Sequence, residues 1–75
     1  MMAYVLINTE FESEREVLDA VRKIESVKEA HAVQGVYDII AKIEVENMNK
    51  LKETVTFKIR RLNKVKSTLT MIITE

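Results

Sequence analysis

Apolar and polar positions divide the chain into six segments. Residues 3–8 (Ala-Tyr-Val-Leu-Ile-Asn) are apolar on both parities, the pattern of a central strand. Residues 9–12 are mostly polar and read as a turn. Ser13-Glu14-Arg15-Glu16 has capping-box spacing, with Ser13 at the N-cap and Glu16 three residues on. Val17, Val21 and Ile24, joined by Leu18 and Ala20, then mark the buried stripe of a helix ending near Glu25. Two β-rich runs follow, residues 27–33 and 39–45, separated by Gln34-Gly35-Val36-Tyr37-Asp38. Gly35 is the only glycine in the chain. Glycine accepts φ > 0 at little steric cost, so this spacing predicts a hairpin turn. Asn47 is a second N-cap candidate. Met48, Leu51, Val55, Ile59 and Leu62 recur at helical spacing and predict one helix over 48–62. Asn63-Lys64 ends it, and residues 65–74 form the last strand.

The order β-α-β-β-α-β, with right-handed crossovers, gives a four-stranded antiparallel sheet carrying both helices on one face. That is the ferredoxin-like α+β fold, here in one domain over residues 1–75. Parity assigns the faces. In the third strand Tyr37, Ile39, Ala41, Ile43 and Val45 fall on one side, and Asp38, Ile40, Lys42 and Glu44 on the other. In the last strand Val65, Leu69, Met71 and Ile73 share a side with Ser67, opposite Lys66, Thr68, Thr70, Ile72 and Thr74. The apolar sets are expected under the helices. The second face then holds Ile40 and Ile72 among threonines and charged residues, a mixed surface suited to association. On this alternation Asp38, Thr68 and Thr70 share that face.

Composition narrows the function classes. A chain of 75 residues buries only about 60% of the surface its unfolded form exposes, so it gains much from oligomerising. It has no Cys for a disulfide or thiolate site, and its one His cannot build a zinc site alone. Twelve Lys and Arg balance twelve Asp and Glu. The basic excess of a chain that wraps nucleic acid is missing. No signal peptide is evident, and no apolar run approaches the ~20 residues needed to span a bilayer. The chain reads as soluble and cytoplasmic, with no direct nucleic-acid or membrane partner and no cofactor.

The constellation of most chemical interest is Asp38 with Thr68 and Thr70. A carboxylate holds an ammonium by a charge-assisted hydrogen bond, and hydroxyls and backbone N–H groups near Gly35 donate to a carboxylate. Together they suit the two ends of a free amino acid. β-branched Thr is also simply a good strand residue, and Asp38 a solvated one, so the residues alone leave both readings open. Tyr37 is on the apolar parity, with its hydroxyl within reach of the turn. His31 has no nucleophile or second ligand beside it in sequence, and no catalytic triad order or paired-carboxylate spacing stands out. Lys58, Arg60, Arg61, Lys64 and Lys66 cluster near the end of the second helix. Cations there complement the helix dipole, a better account than a phosphate patch. Phe57 falls off the buried stripe of that helix, as a subunit contact or a single exposed apolar residue.

Two stretches resemble the effector-binding half of the Lrp/AsnC regulators, often called the RAM domain. Val27-Lys28-Glu29-Ala30-His31-Ala32-Val33-Gln34-Gly35-Val36-Tyr37-Asp38 is similar to the family's valine-led strand closing in Gly-x-Tyr-Asp. Val65-Lys66-Ser67-Thr68-Leu69-Thr70-Met71-Ile72-Ile73 is similar to its last strand with Thr-x-Thr. The resemblance implies transcription regulation by effector binding. It implies sheets paired into homodimers, dimers assembled into octamers or similar rings, and a free amino acid or related metabolite bound where dimers meet. Gly35, Val36, Tyr37, Asp38, Thr68 and Thr70 become the candidate effector residues. The chain departs from the family at Glu10-Phe11 and Asn63-Lys64, where many members have Pro-Gly. Met1 leads directly into the first strand, so a stand-alone module without a helix-turn-helix domain is expected, co-assembling with full-length regulators.

The expected function is an oligomeric amino-acid-binding regulatory module, not an enzyme. Two alternatives are a small ferredoxin-like dimeric monooxygenase or isomerase using His31, and an assembly module without ligand.

Overall fold

The computed structural model of the chain describes all 75 residues. The elements follow the expected order. They are β1 (Met2–Thr9), α1 (Glu14–Arg22), β2 (Val27–Ala32), β3 (Ile39–Glu44), α2 (Met48–Glu53) and β4 (Val65–Ile72). All neighbouring strands pair antiparallel, in the order β2-β3-β1-β4. β1, apolar on both parities, is central as its pattern predicts. Ala3, Val5 and Ile7 of β1 and Ile39, Ala41 and Ile43 of β3 point to one face and are fully buried. Val17, Leu18 and Val21 of α1 and Leu51 of α2 close over them in a single cluster. Both helices therefore lie on one face of the sheet.

The helix termini differ from expectation at one end. Asn47 caps α2, its Oδ1 accepting the Lys50 N–H at 2.9 Å. Ser13 precedes α1, but its hydroxyl donates to the Phe11 carbonyl at 3.3 Å and the capping box does not close. The second helix is not uniform either. Beyond Glu53 it widens into a π-helical turn, Thr54–Ile59, in which Arg60 N–H donates to Val55 O at 2.8 Å. Two α-helical turns take about 7.2 residues. Eight separate Leu51 from Ile59, and the widened turn takes up the excess. Ile59 thereby returns to the core beside Leu51, both essentially unexposed. Thr54 is buried in that turn, and its hydroxyl donates to Lys50 O at 2.9 Å.

The largest correction concerns β4. Thr9 pairs with Val65 and Asn8 with Ser67, so Lys66 is an extra residue without a partner on β1. Such a bulge reverses the alternation downstream of it. Val65 is packed against the core as expected. Past Lys66, however, Thr68, Thr70 and Ile72 pair with Ile7, Val5 and Ala3 and share their helix-side face. Ser67, Leu69 and Met71 pair with Asn8, Leu6 and Tyr4 on the open face. Thr68 and Thr70 are thus half-buried on the helix side, not on the open face. Leu69 and Met71 are 44% and 47% exposed. A matching irregularity at Lys28 places Glu29 and His31 on the open face, opposite Lys42 and Ile40.

The turn entering β4 carries strain. Lys64 has φ 77°, a left-handed conformation in a non-glycine residue. Its relief by Lys64→Gly is worth roughly 1–2 kcal/mol. That exceeds the approximately 0.5–1 kcal/mol entropic cost of a glycine. Lys64→Gly is therefore expected to raise the thermal midpoint by a few degrees. Lys23→Gly, at φ −83° after α1, is expected to lower it. Thermal denaturation of the two variants checks the contrast.

Candidate functional site

Three connections meet at one end of the sheet. β1 ends at Thr9, β2 at Ala32, and β3 begins at Ile39, while Val65 of β4 pairs with Thr9. The connections are residues 10–13, 33–38 and 60–64. The middle one is the glycine-bearing hairpin loop. Val33 N–H donates to Asp38 O at 2.9 Å, closing a loop in which residues 34–37 donate to no other backbone group. Gly35 has φ 158°, and a Cβ there would meet nothing within 4 Å, so crowding does not demand a glycine.

Asp38 binds this end together. Its Oδ2 accepts the Thr9 N–H at 2.8 Å and the Thr9 hydroxyl at 3.3 Å. Its own N–H donates to Ile7 O at 3.0 Å. The carboxylate thus extends the β1–β3 ladder by one acceptor. From there Glu10 N–H reaches Lys64 O at 2.8 Å, tying in the connection before β4. Thr9 is only 6% exposed, so its amide needs this partner. The sequence reading missed Thr9. The signal was a threonine ending the strand antiparallel to the one that Asp38 opens.

Of the expected site residues, Gly35 and Val36 are exposed on the loop, and Tyr37 and Asp38 are half-buried beside it. Both Asp38 bonds use Oδ2, which leaves Oδ1 facing no protein donor. Thr68 and Thr70 stand on β4, across β1 from β3 and on the helix side. Two strand spacings are about 10 Å. Within one chain the threonines and the loop do not converge.

The other candidates are weaker. His31 Nε2 lies 3.0 Å from Glu29 Oε1, both side chains exposed and with no nucleophile beside them. The basic cluster is dispersed: the Arg61 guanidinium lies 5.0 Å from the Phe57 ring centroid, and Lys64 Nζ is 4.0 Å from Glu16. Phe57 is 55% exposed, off the buried stripe as expected. At the opposite end of the sheet an open groove is lined by Glu25, Lys28, Glu44, Glu46, Lys50 and Glu53, a solvated mixture of both charges. No helix is long and apolar enough to cross a membrane.

These features define a domain of ferredoxin-like fold, and comparison with known proteins supplies its family. Residues 2–75 match the family model described as the Lrp/AsnC ligand binding domain, and the chain belongs to that family. An uncharacterized HTH-type transcriptional regulator of Pyrococcus furiosus is 34% identical over 73 residues, covering 93% of this chain and 49% of the relative. The chain spans about half the length of the curated relatives it matches. The crystal structure of FFRP-DM1 superposes with a TM-score of 0.93 at 37% identity, covering 97% of each chain. A Neisseria meningitidis transcriptional regulator, solved as an L-Met complex, shares the fold at 18% identity and a TM-score of 0.88, over 99% of this chain and 49% of that one. The Pyrococcus furiosus and Neisseria meningitidis proteins are transcriptional regulators, not enzymes.

Removing the Asp38 carboxylate leaves the buried Thr9 amide unsatisfied, at a cost of about 1–3 kcal/mol. Asp38→Ala is expected to lose that much in urea denaturation, whereas Asp38→Asn, which keeps an acceptor oxygen, recovers most of it.

Proposed function

We propose that this chain is a regulatory module that self-assembles through its open sheet face and binds a free amino acid between subunits. The observation that carries the reading is the match of residues 2–75 to the Lrp/AsnC ligand binding domain. The L-Met complex of a relative in fold supports the ligand class.

The chemistry of the loop end supports it as well. Asp38 Oδ1 can accept an ammonium, and the N–H groups of residues 34–37 can donate to a carboxylate. Because Thr68 and Thr70 lie away from the loop of their own chain, a site containing both sets draws its threonines from a second copy. The open face supports self-assembly. Half-buried Tyr4, Leu6 and Ile40 and exposed Leu69 and Met71 form an apolar band there that a second copy can cover. Dimers built on this face assemble further into octamers or similar rings in the cytoplasm. FFRP-DM1 is a chain of this module's length. Assembly of the same kind joins this module to full-length regulators of the family.

A ligand held between subunits favours the assembled form by mass action, by about 2.7 kcal/mol at a hundredfold excess over Kd. The full chain is expected to scatter light as an oligomer and to gain thermal midpoint with at least one free amino acid. Leu69→Lys and Met71→Lys are expected to shift it toward monomer and to weaken that response. A strict monomer that responds to none of the twenty overturns the reading. An oligomer whose properties are unchanged by Asp38→Ala and Thr70→Val, stability aside, leaves only an assembly module.

A further inference from the structure

The sheet has two free edges, β2 and β4, and they differ. On β2, Val33 N–H donates to Asp38 O at 2.9 Å, so alternation turns the backbone groups of Ala30 and Ala32 outward, away from β3. The Ala30 carbonyl there is taken by the Arg22 guanidinium, at 2.8 and 3.1 Å. Lys28, Glu29 and His31 add charge, and the irregularity at Lys28 breaks the line of that edge. A strand laid against β2 would have to displace the arginine. β4 lacks every such guard past Lys66. Ile73 N–H donates to Met2 O at 2.9 Å, which fixes the phase. Ser67, Leu69 and Met71 turn their backbone groups to β1, while Thr68, Thr70 and Ile72 turn theirs outward. None of the chain's other hydrogen bonds reaches those outward groups. Residues 67–74 hold no charge, glycine or proline, and Thr68, Thr70, Ile72, Ile73 and Thr74 are β-branched. An edge of this kind is a template for another strand.

We infer that the free edge of β4 is a strand-pairing interface for a second copy of this chain, whose own β4 adds antiparallel about a two-fold axis at Thr70. The contact is separate from the open face and needs no ligand. Centring on Thr70 uses all three outward residues. Thr70 pairs with Thr70 of the second copy and Thr68 with its Ile72, giving about six N–H···O bonds. Centring on Thr68 would bring the bulge at Lys66 into the pairing. On the open face Leu69 of one copy then stands against Met71 of the other, so the apolar bands of two chains join edge to edge. Lys66, the one charge on β4, comes opposite Thr74 and beside Glu75, whereas parallel pairing in register would set Lys66 against Lys66. With β2 guarded by Arg22, a third copy finds no edge to extend, and pairing closes at two chains instead of growing into a fibre.

Amide hydrogen exchange on the full chain, read residue by residue by NMR, tests this. The N–H groups of Thr68, Thr70 and Ile72 are expected to exchange at least about tenfold more slowly than that of Ala32 on the β2 edge. Ile72→Pro removes an outward N–H and no bond to β1. It is expected to keep the fold by circular dichroism, to lower the mass seen by light scattering and to abolish the protection of Thr68 and Thr70. Should Ile72→Pro fail to fold, the exchange rates of the unsubstituted chain decide alone. An oligomer whose Thr68, Thr70 and Ile72 amides exchange as fast as that of Ala32 overturns the inference and leaves assembly through the open face standing. So does a folded Ile72→Pro of unchanged mass and protection. A chain that is monomeric at every concentration overturns both.

Discussion

One unpaired residue decides what this sheet shows to its surroundings. Lys66 has no partner on β1, and every side chain of β4 beyond it is turned over relative to Val65. Without that bulge Leu69 and Met71 would lie beneath the helices, and the open face would carry Thr68 and Thr70. With it, the two bulky apolar residues join Tyr4, Leu6 and Ile40 on the bare side, and the smaller threonines fill the half-covered helix side beside Val5 and Ile7. The bulge moves apolar area from the core of one chain to a surface that a second copy can cover.

That transfer is consistent with the size of the domain. Only 15 of 75 residues are buried, and the 12 apolar ones form a cluster that draws on β1, β3 and one stripe of each helix, with Ala30 alone from β2. The edge strand β2 is held partly from outside the sheet, by the Arg22 guanidinium donating to Ala30 O at 2.8 and 3.1 Å. A core this small leaves intermolecular burial as the main remaining source of stability, since the chain has neither disulfide nor metal-binding thiol.

Much of this was legible in the sequence, and the misses share a cause. Periodicity located all six elements, the central position of β1 and the Asn47 cap, because each depends on residues close in the chain. The bulge at Lys66 depends on how β4 meets β1, across some sixty positions, and strict alternation carries no mark of it. The π-helical turn was hidden in the same way. Leu51, Val55 and Ile59 look like ordinary i, i+4 spacing, but only packing against the sheet shows that Ile59 needs a widened turn to reach the core beside Leu51. Ser13 has the right spacing for a capping box, yet a tight turn over residues 10–13 offers its hydroxyl a nearer carbonyl. The candidate site was half legible. The loop around Gly35 and Asp38 is where its motif indicates, whereas the threonines stand on the face opposite to the one that parity assigned.

The hydrogen bonds between Thr9 and Asp38 give the loop end a mechanical link to the rest of the sheet. Thr9 belongs to β1, the strand that pairs with both β3 and β4 and whose even-numbered side chains form the middle of the open face. Asp38 closes the hairpin loop and its N–H bonds Ile7 O on the same strand. Force applied at the loop is therefore delivered to β1, not dissipated in a free connection. On the proposed reading, an ammonium at Asp38 Oδ1 sits on the same carboxylate whose Oδ2 fixes the end of β1, next to Asn8 and Leu6 on the open face. On that same reading, binding at the loop and burial of the open face share one short strand segment, with the helices and the buried cluster left as they are.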